Sequence, residues 1–291
     1  MKHLSNYITE KLIIKKSSFI YFPECTADLR TIIEEKIKNN NTVIDVSDID
    51  ISNVNNLFGV FRDLDNVKEI KGLDTWDVSH VKSFSYLFLC CKNLEKIEGI
   101  ENWDVSSSKT FLKMFGGCYN IKTLDLSNWK FKESDVIFTS MFEYCILLET
   151  LDLSNWDMSN ASTIRCMFEG CDKLKSIGNL SKWNISNYCK HMDGFLRSCK
   201  SIEDIGDISN WNVGRISDLS SMFRGCKNLK SIGDISKWYV KFVVDFEYMF
   251  YDCENLKLDI SSWELHPSAL LKNAFKNVNT KIFKRCRHKR P

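Results

Sequence analysis

Two short apolar patterns alternate along most of the chain, and residues 148–171 show both of them. Leu151 and Leu153 flank Asp152, which is the two-residue alternation of a half-buried strand. Ser159 follows and is suited to cap a helix. The next apolar residues recur at steps of three, one and three, which predicts an apolar stripe on a short helix. They are Ile164, Met167, Phe168 and Cys171.

The same two patterns return in one register, which is marked by tryptophan and cysteine. All eight tryptophans are 25–28 residues apart, and seven of the twelve cysteines each follow a tryptophan by 15 or 16 residues. The strand residues have the L-x-x-L-x-L-x-x-N-x-L spacing of a leucine-rich repeat, with Trp at the Asn position. Such turns stack and share one core. The predicted core ladder consists of Trp76, Trp103, Trp129, Trp156, Trp183, Trp211, Trp238, Trp263, Cys91, Cys118, Cys145, Cys171, Cys199, Cys226 and Cys253.

Three stretches resemble the repeat of the BspA-like leucine-rich repeat family, LDLSNWDxSNVTxMxxMFxxC. They are LDLSNWDMSNASTIRCMFEGC at Leu151–Cys171, WDVSHVKSFSYLFLCC at Trp76–Cys91 and ISNWNVGRISDLSSMFRGC at Ile208–Cys226. The resemblance implies an α/β leucine-rich-repeat solenoid with short parallel strands on one face and short helices on the other. It also implies a bacterial, phage or other microbial binding protein, often at the cell surface, and gives no catalytic residues.

The chain divides into three predicted segments. Residues 1–48 are expected to form an N-terminal helical cap, with a helix over 26–38. Residues 49–275 are expected to form the solenoid, with about nine turns. Residues 276–291 form a basic C-terminal tail. The apolar face of the cap helix consists of Leu29, Ile32, Ile33 and Ile37.

The distance from a ladder cysteine to the next tryptophan varies along the chain. Cys118 and Cys145 lie 11 residues before the next Trp, whereas Cys91, Cys171, Cys199 and Cys226 lie 12 residues before it. The longer turns contain Gly99, Gly178, Gly206 and Gly233. An extra residue together with glycine is typical of a β-bulge, so irregular strands are expected in those turns.

The charge of the chain is divided unevenly. Residues 276–291 carry seven Lys or Arg and no acid, which leaves 33 basic against 38 acidic residues in the rest of the chain. Such a tail can contact nucleic acid or an acidic surface. A solvated terminus is the commoner role, so nucleic acid is not the expected partner.

The cysteines and the start of the chain bear on location. At core-facing positions a thiol behaves as a small hydrophobe, so reduced thiols are expected. No apolar run is long enough to span a membrane, and lysines divide the apolar runs at the start, unlike in a signal peptide. A cytoplasmic protein is therefore expected, with the cell surface or a virion as the alternative. No C-x-x-C pair is present and the chain has five His, so no metal or cofactor is expected.

Catalytic motifs are missing from the sequence. The five histidines share no register, and the chain has no phosphate loop, nucleophile elbow or H-E-x-x-H motif. We therefore expect neither an enzyme nor a small-molecule substrate. The tryptophans could form an aromatic platform for sugars or bases, but their position in the repeat favours core packing.

Polar residues recur beside the predicted strands and give the candidate site. If the turns stack, an acidic stripe runs beside a basic one, which favours a protein partner bound along the strand face. The alternative is a solvated face whose charges block edge pairing. A ladder of single carboxylates does not converge on one point as calcium requires. The predicted strand-face stripe consists of Asp125, Asp152, Asp207, Asp234, Asp259, Lys122, Lys175, Lys230 and Lys257.

The predicted function is a non-catalytic scaffold that binds another protein through its strand face. A surface adhesin or a virion-associated structural protein is the alternative. Thiol status separates the two, because disulfides persist in oxidising environments and thiols in reducing ones.

Overall fold

Parallel strands of two or three residues connect neighbouring turns of the chain. The structure is a computed structural model that describes residues 18–38, 40–185 and 188–281. All of its strand pairs are parallel, in the orders β1-β2-β3, β4-β5 and β6-β7. The elements are helix α1 (Thr26–Ile37) and strands β1 (Val43–Asp45), β2 (Glu69–Lys71), β3 (Lys96–Ile97), β4 (Val136–Ile137), β5 (Ala161–Thr163), β6 (Lys257–Asp259) and β7 (Asn279–Lys281).

Two ladders of parallel pairing run along the solenoid. The first ladder contains β1, β2 and β3, continues through single bridges, and has β6 and β7 at its C-terminal end. Its single bridges join Thr123, Thr150, Ser176, Asp204 and Ser231 in that order. The second ladder contains β4 and β5 and bridges on either side of them. Its positions are Asn56, Ser83, Thr110, Ile137, Thr163, His191, Asp218, Asp245 and Leu270, with no bridge between His191 and Asp218.

The apolar stripes after the second ladder form no α-helices in the described residues, so the predicted short helices opposite the strands are wrong. Hydrogen-bonded turns follow the second ladder instead. The amide of Phe61 donates to the carbonyl oxygen of Leu87 in the next turn at 2.9 Å, while the amide of Val60 donates to Leu57 at 3.3 Å. Alternate amides thus bond between turns and within them, whereas a helix would use its own carbonyl groups throughout.

Backbone conformation explains why no helix forms there. In each of nine turns two residues with positive φ stand four residues apart, as Tyr86 (61°) and Cys90 (58°) do. A helix cannot continue through the left-handed region. The left-handed positions are 59 and 63, 86 and 90, 113 and 117, 140 and 144, 166 and 170, 194 and 198, 221 and 225, 248 and 252, and 273 and 277.

Aromatic and cysteine side chains fill the space between the two ladders. Phe61, Phe88, Phe115 and Phe142 stack on one another with centroid distances of 5.3–5.5 Å. The indole Nε1 of seven of the eight tryptophans donates to a main-chain carbonyl of the preceding turn, at 2.8–3.2 Å. All eight tryptophans are at most 5% exposed, so they are core residues and not a surface platform.

Helix α1 covers the N-terminal end of the solenoid. Leu29 and Ile33 are fully buried in the core. The Arg30 guanidinium donates to the carbonyl oxygens of Val60 (3.1 Å) and Arg62 (2.7 Å), which otherwise end the stack. Strand β1 already pairs with β2, so the first ladder begins before residue 49. Residues 1–17 of the predicted cap and 282–291 of the predicted tail lie outside the described residues.

The extra glycine of the longer turns has a defined role. Gly178 has φ +80°, and a Cβ there would lie 2.4 Å from Asp152 Oδ1 of the preceding turn. A Cβ on Gly233 would likewise lie too close to Asp207 Oδ1 of the preceding turn. Glycine therefore allows the left-handed conformation and leaves room for the neighbouring carboxylate. In several longer turns a short 3-10 turn follows, as at Leu180–Lys182 and Ile235–Lys237.

Candidate binding surface on the first ladder

The lysines of the strand-face stripe lie in a row that also contains glutamates. Lys175 Nζ lies 3.3 Å from Glu149 of the preceding turn, and Lys230 Nζ lies 2.6 Å from Glu203. Lys68 also pairs with Glu95, so the row mixes both signs and holds three ion pairs, and it is not the separate basic stripe that the sequence predicts. Exposed pairs of this kind contribute little to stability. The row consists of Lys68, Glu95, Lys122, Glu149, Lys175, Glu203, Lys230 and Lys257, each four residues after a ladder cysteine or its equivalent.

The aspartates of the stripe cap their own turns. Each one accepts a hydrogen bond through Oδ1 from the amide of the serine two residues later, at 2.9–3.2 Å. Bonds from the hydroxyl and the amide of Ser154 lower the pKa of Asp152 below its ordinary value of 3.8. All five are exposed, so they have a structural role and also face solvent. Their role in binding remains a prediction.

A second row of aspartates was missed in the sequence. Asp77, Asp104 and Asp157 each follow a ladder tryptophan directly and accept from a serine amide two residues later, at 2.9–3.0 Å. The signal was the recurring Asp-x-Ser spacing, which is typical of a side-chain turn. Both aspartate rows therefore fix corners of the solenoid.

A shallow groove of about 510 Å³ lies on the first ladder. It coincides with the two shorter turns, in which Cys118 and Cys145 lie 11 residues before the next tryptophan. Gly178, in the longer turn that follows, forms one wall. The surface is recessed where the flanking turns have one residue more. The lining consists of Thr123, Leu124, Asp125, Ser127, Thr150, Leu151, Asp152, Ser176 and Gly178.

The groove offers hydroxyl groups, carboxylates and one half-exposed leucine. Thr123 and Thr150 are exposed, and Leu124 is partly buried between them. Of the predicted stripe, Asp125 and Asp152 lie in the groove, while Asp207, Asp234 and Asp259 do not line it. Lys122, Lys175, Lys230 and Lys257 do not line it either. It contains no histidine, cysteine or lysine that could act as a base or nucleophile.

The ladder cysteines are buried thiols that donate hydrogen bonds. Each ladder thiol lies 2.9–3.2 Å from a main-chain carbonyl oxygen of the preceding turn, to which it donates. Burial raises the pKa of Cys91 and Cys253 to about 12. A thiol with such a pKa is a poor nucleophile at neutral pH.

One protein family matches this chain through most of its repeats. The family described as "Mycoplasma protein of unknown function, DUF285" matches residues 28–145, 56–176, 134–207 and 177–285. The chain belongs to this family. The DUF285 matches overlap and together span both ladders and helix α1 from residue 28 onward. No curated protein matches the chain.

Solved structures that are similar to this DUF285 chain are leucine-rich repeat proteins. A leucine-rich repeat protein from Bacteroides ovatus is 15% identical, with 77% of this chain and 76% of that one covered and a TM-score of 0.27. A leucine rich cell surface protein from Faecalibacterium prausnitzii is 18% identical, with 84% and 80% covered and a TM-score of 0.32. The Leptospira interrogans protein LIC12759 is 14% identical, with 83% and 73% covered and a TM-score of 0.29. Scores this low carry no information about function.

Two negative findings apply to the residues that the structure describes. None of their helices has the length and apolar character needed to cross a bilayer. No group of three or more His, Cys, Asp or Glu side chains in residues 18–38, 40–185 and 188–281 is arranged to hold a metal ion.

Proposed function

We propose that this DUF285 protein is a non-catalytic scaffold that binds another protein along the first ladder, with the groove as the main contact. The groove is the observation that supports the proposal. It lies at a defined place on the first ladder, between the turns that contain Gly99 and Gly178. A partner can therefore be held at a fixed position along the solenoid.

A protein segment suits this groove better than a small molecule does. Small-molecule sites are enclosed and mostly apolar, with a few polar groups. Here the walls are open and carry the hydroxyls of Thr123, Thr150 and Ser176. Such groups can contact the main chain and polar side chains of an extended segment. The adjacent row has five Lys and three Glu, and its three ion pairs neutralise it in part, so the hydroxyl groups of the groove act together with a weakly positive border.

The proposal is tested by a substitution that fills the groove and leaves the aspartates that cap the turns unchanged. Thr150→Arg places a long side chain in the groove, whereas Ser231→Arg makes the same change on the same ladder outside it. Both positions are exposed, so both variants should fold. In pull-downs from the native lysate, we expect Thr150→Arg to lose a partner that the wild type and Ser231→Arg retain. Equal recovery by all three proteins would contradict the proposal.

We also propose that the protein works in a reducing compartment. The hydrogen bonds from the ladder thiols to the carbonyl oxygens support this, because a disulfide has no proton to donate. The measurement is the number of free thiols in protein isolated from its native source under denaturing, alkylating conditions. Free ladder thiols would agree with the proposal. Systematic disulfides would favour the adhesin or virion-associated alternative.

A further inference from the structure

Five side chains form a layered cluster near the C-terminal end of the solenoid, on the turns that follow the second ladder. The Arg224 guanidinium lies 4.8 Å from the ring centroid of Tyr248 and 5.5 Å from that of Tyr251. Lys272 Nζ lies 6.0 Å from the Tyr248 centroid, and Lys276 Nζ lies 5.5 Å from the Tyr251 centroid. Arg224 belongs to the turn before the tyrosines and the lysines to the turn after them, so cations cover both sides of each ring. We name this set the cation–tyrosine cluster.

The three cations of the cation–tyrosine cluster differ from neighbouring cations in their ion pairing. Within the described part of the chain, no carboxylate forms an ion pair with Arg224, Lys272 or Lys276, although Glu247 and Asp252 stand in the same turn as the tyrosines. Asp252 instead accepts a hydrogen bond from the side-chain amide of Asn277 at 2.6 Å.

Neighbouring cations on the same side of the solenoid are paired. Arg197 lies 3.3 Å from Glu169, and Lys227 lies 3.1 Å from Glu254. The cluster therefore differs from its surroundings in that its three cations have no ion-pair partner among the described residues. More cations follow along the chain, because residues 276–291 contain seven Lys or Arg and no acid.

We propose that this end of the solenoid binds nucleic acid through its phosphate backbone, without reading the base sequence. Phosphates supply a dense row of negative charge, and Arg224 has the fork geometry that pairs with phosphate oxygens. The faces of Tyr248 and Tyr251 are covered by cations, so bases cannot stack on them as they do on single-strand platforms. Duplex DNA, which has the higher charge density, is then bound at least as tightly as a single strand.

The test uses the full chain and fluorescein-labelled DNA of about 20 nucleotides, as a duplex and as a single strand. Fluorescence anisotropy gives the affinity between about 50 and 200 mM salt. The cluster variant Arg224→Gln/Lys272→Gln/Lys276→Gln is compared with Lys68→Gln/Lys122→Gln/Lys175→Gln, which removes the same charge from the first ladder. Thermal unfolding of both variants checks that they fold.

We expect the wild type to bind both forms of DNA, and to bind the duplex at least as tightly. The slope of log affinity against log salt should decrease in magnitude by roughly two to three in the cluster variant, because each lost phosphate contact removes about 0.9. The first-ladder variant should keep the wild-type slope.

Four results would overturn the proposal. One is the absence of binding by the wild type at about 50 mM salt, and another is an unchanged slope in the cluster variant, which would assign binding to the tail alone. A clear preference for the single strand would indicate base stacking. Equal or tighter binding of a fluorescein-labelled octaglutamate peptide would assign the cluster to an acidic protein segment.

Discussion

At the scale of single residues, the ladder cysteines are hydrogen-bond donors as well as core residues. Cys145 is fully buried, and its Sγ lies 3.2 Å from the carbonyl oxygen of Phe115. That carbonyl also accepts from the amide of Cys118 at 3.1 Å, so the thiol occupies the second acceptor site of an oxygen that faces the core. The conserved offset between tryptophan and cysteine within this chain therefore has a polar reason in addition to packing.

Burial predicts a sharp division in thiol reactivity. In the native protein, N-ethylmaleimide should modify the exposed Cys25 within minutes and leave the seven ladder thiols unmodified until the chain unfolds. The reason is that desolvation raises the thiol pKa, to about 12 for Cys91, and access is blocked. Mass spectrometry of peptides after timed labelling measures this. Modification of Cys118 or Cys145 at the rate of Cys25 would show that the core opens readily.

The pH dependence of stability also belongs to single side chains. Bonds from a serine two residues later hold several aspartate pKa values below the ordinary 3.8. A folded-state pKa below the unfolded value gives stability that is present above pH ~4 and is lost as the pH falls. Burial raises the pKa of Asp193, which acts in the opposite direction. The residues with lowered values are Asp45, Asp77, Asp104, Asp152, Asp207 and Asp234.

We therefore expect the urea midpoint to hold steady between pH 7 and about 5 and to fall below about pH 4. Asp152→Asn is the matched variant, because Asn179 already accepts from Ser181 at the equivalent position (2.9 Å) and does not titrate. Its midpoint should fall less steeply on acidification than that of the wild type. A midpoint that stays constant down to about pH 2 would contradict this account.

At the scale of elements, the spacing of apolar residues predicted burial correctly and predicted helices that do not form. Ile164, Met167, Phe168 and Cys171 are all fully buried, as the stripe predicted. Apolar side chains at this spacing reach the core without a helix, because each turn has two residues in the left-handed conformation. Of the eighteen left-handed positions only five are glycine, and Tyr86, Cys90 and Lys113 are among the rest. Four more positions are Asp or Asn, which favour positive φ, but side chains such as Tyr86 do not indicate it, so the sequence reveals only some of these turns.

Far-ultraviolet circular dichroism distinguishes the two structures. Helix α1 has 12 residues, and no other α-helix occurs in residues 18–38, 40–185 and 188–281. The helical signal of the full chain should therefore be small. A helix in each turn, as first predicted, would place on the order of a quarter of the chain in helix. A signal of that size would contradict the turn geometry.

The glycine of the longer turns is predicted to be irreplaceable. Gly178→Ala should lower the free energy of unfolding by more than about 1 kcal/mol, because φ is +80° and the added Cβ would lie 2.4 Å from Asp152 Oδ1. Gly214→Ala is the control, since its φ is not positive and the nearest atom would be 3.4 Å away. Chemical denaturation of both variants measures the difference. Equal stability would mean that Asp152 moves aside freely.

At the scale of the whole molecule, stacking joins the turns into one core. Buried residues from Leu29 to Ala274 belong to a single cluster, so each turn is stabilised by its neighbours. The period, the core ladder and the approximate number of turns follow from the tryptophan register alone. The second ladder does not follow from the tryptophan register. The residues at its positions share no type and differ in polarity, from Asn56 to Leu270.

The candidate site was predictable only in part. The sequence places Asp125 and Asp152 on the strand face, and the structure places them in the groove. The shorter turns that coincide with the groove were visible as an 11-residue spacing, but spacing alone does not show a recess. The pairing of Lys175 with Glu149 required the stacking register, which fixes which side chains meet.

The most direct test of the proposed function is site-specific crosslinking in the native cell. A photo-reactive amino acid is placed at Thr150 in the groove or at Ser231 on the same ladder outside it. The account predicts one discrete crosslinked protein from position 150 and little or none from position 231. Identical crosslinking patterns from the two positions, or crosslinking from position 231 alone, would contradict a partner bound in the groove.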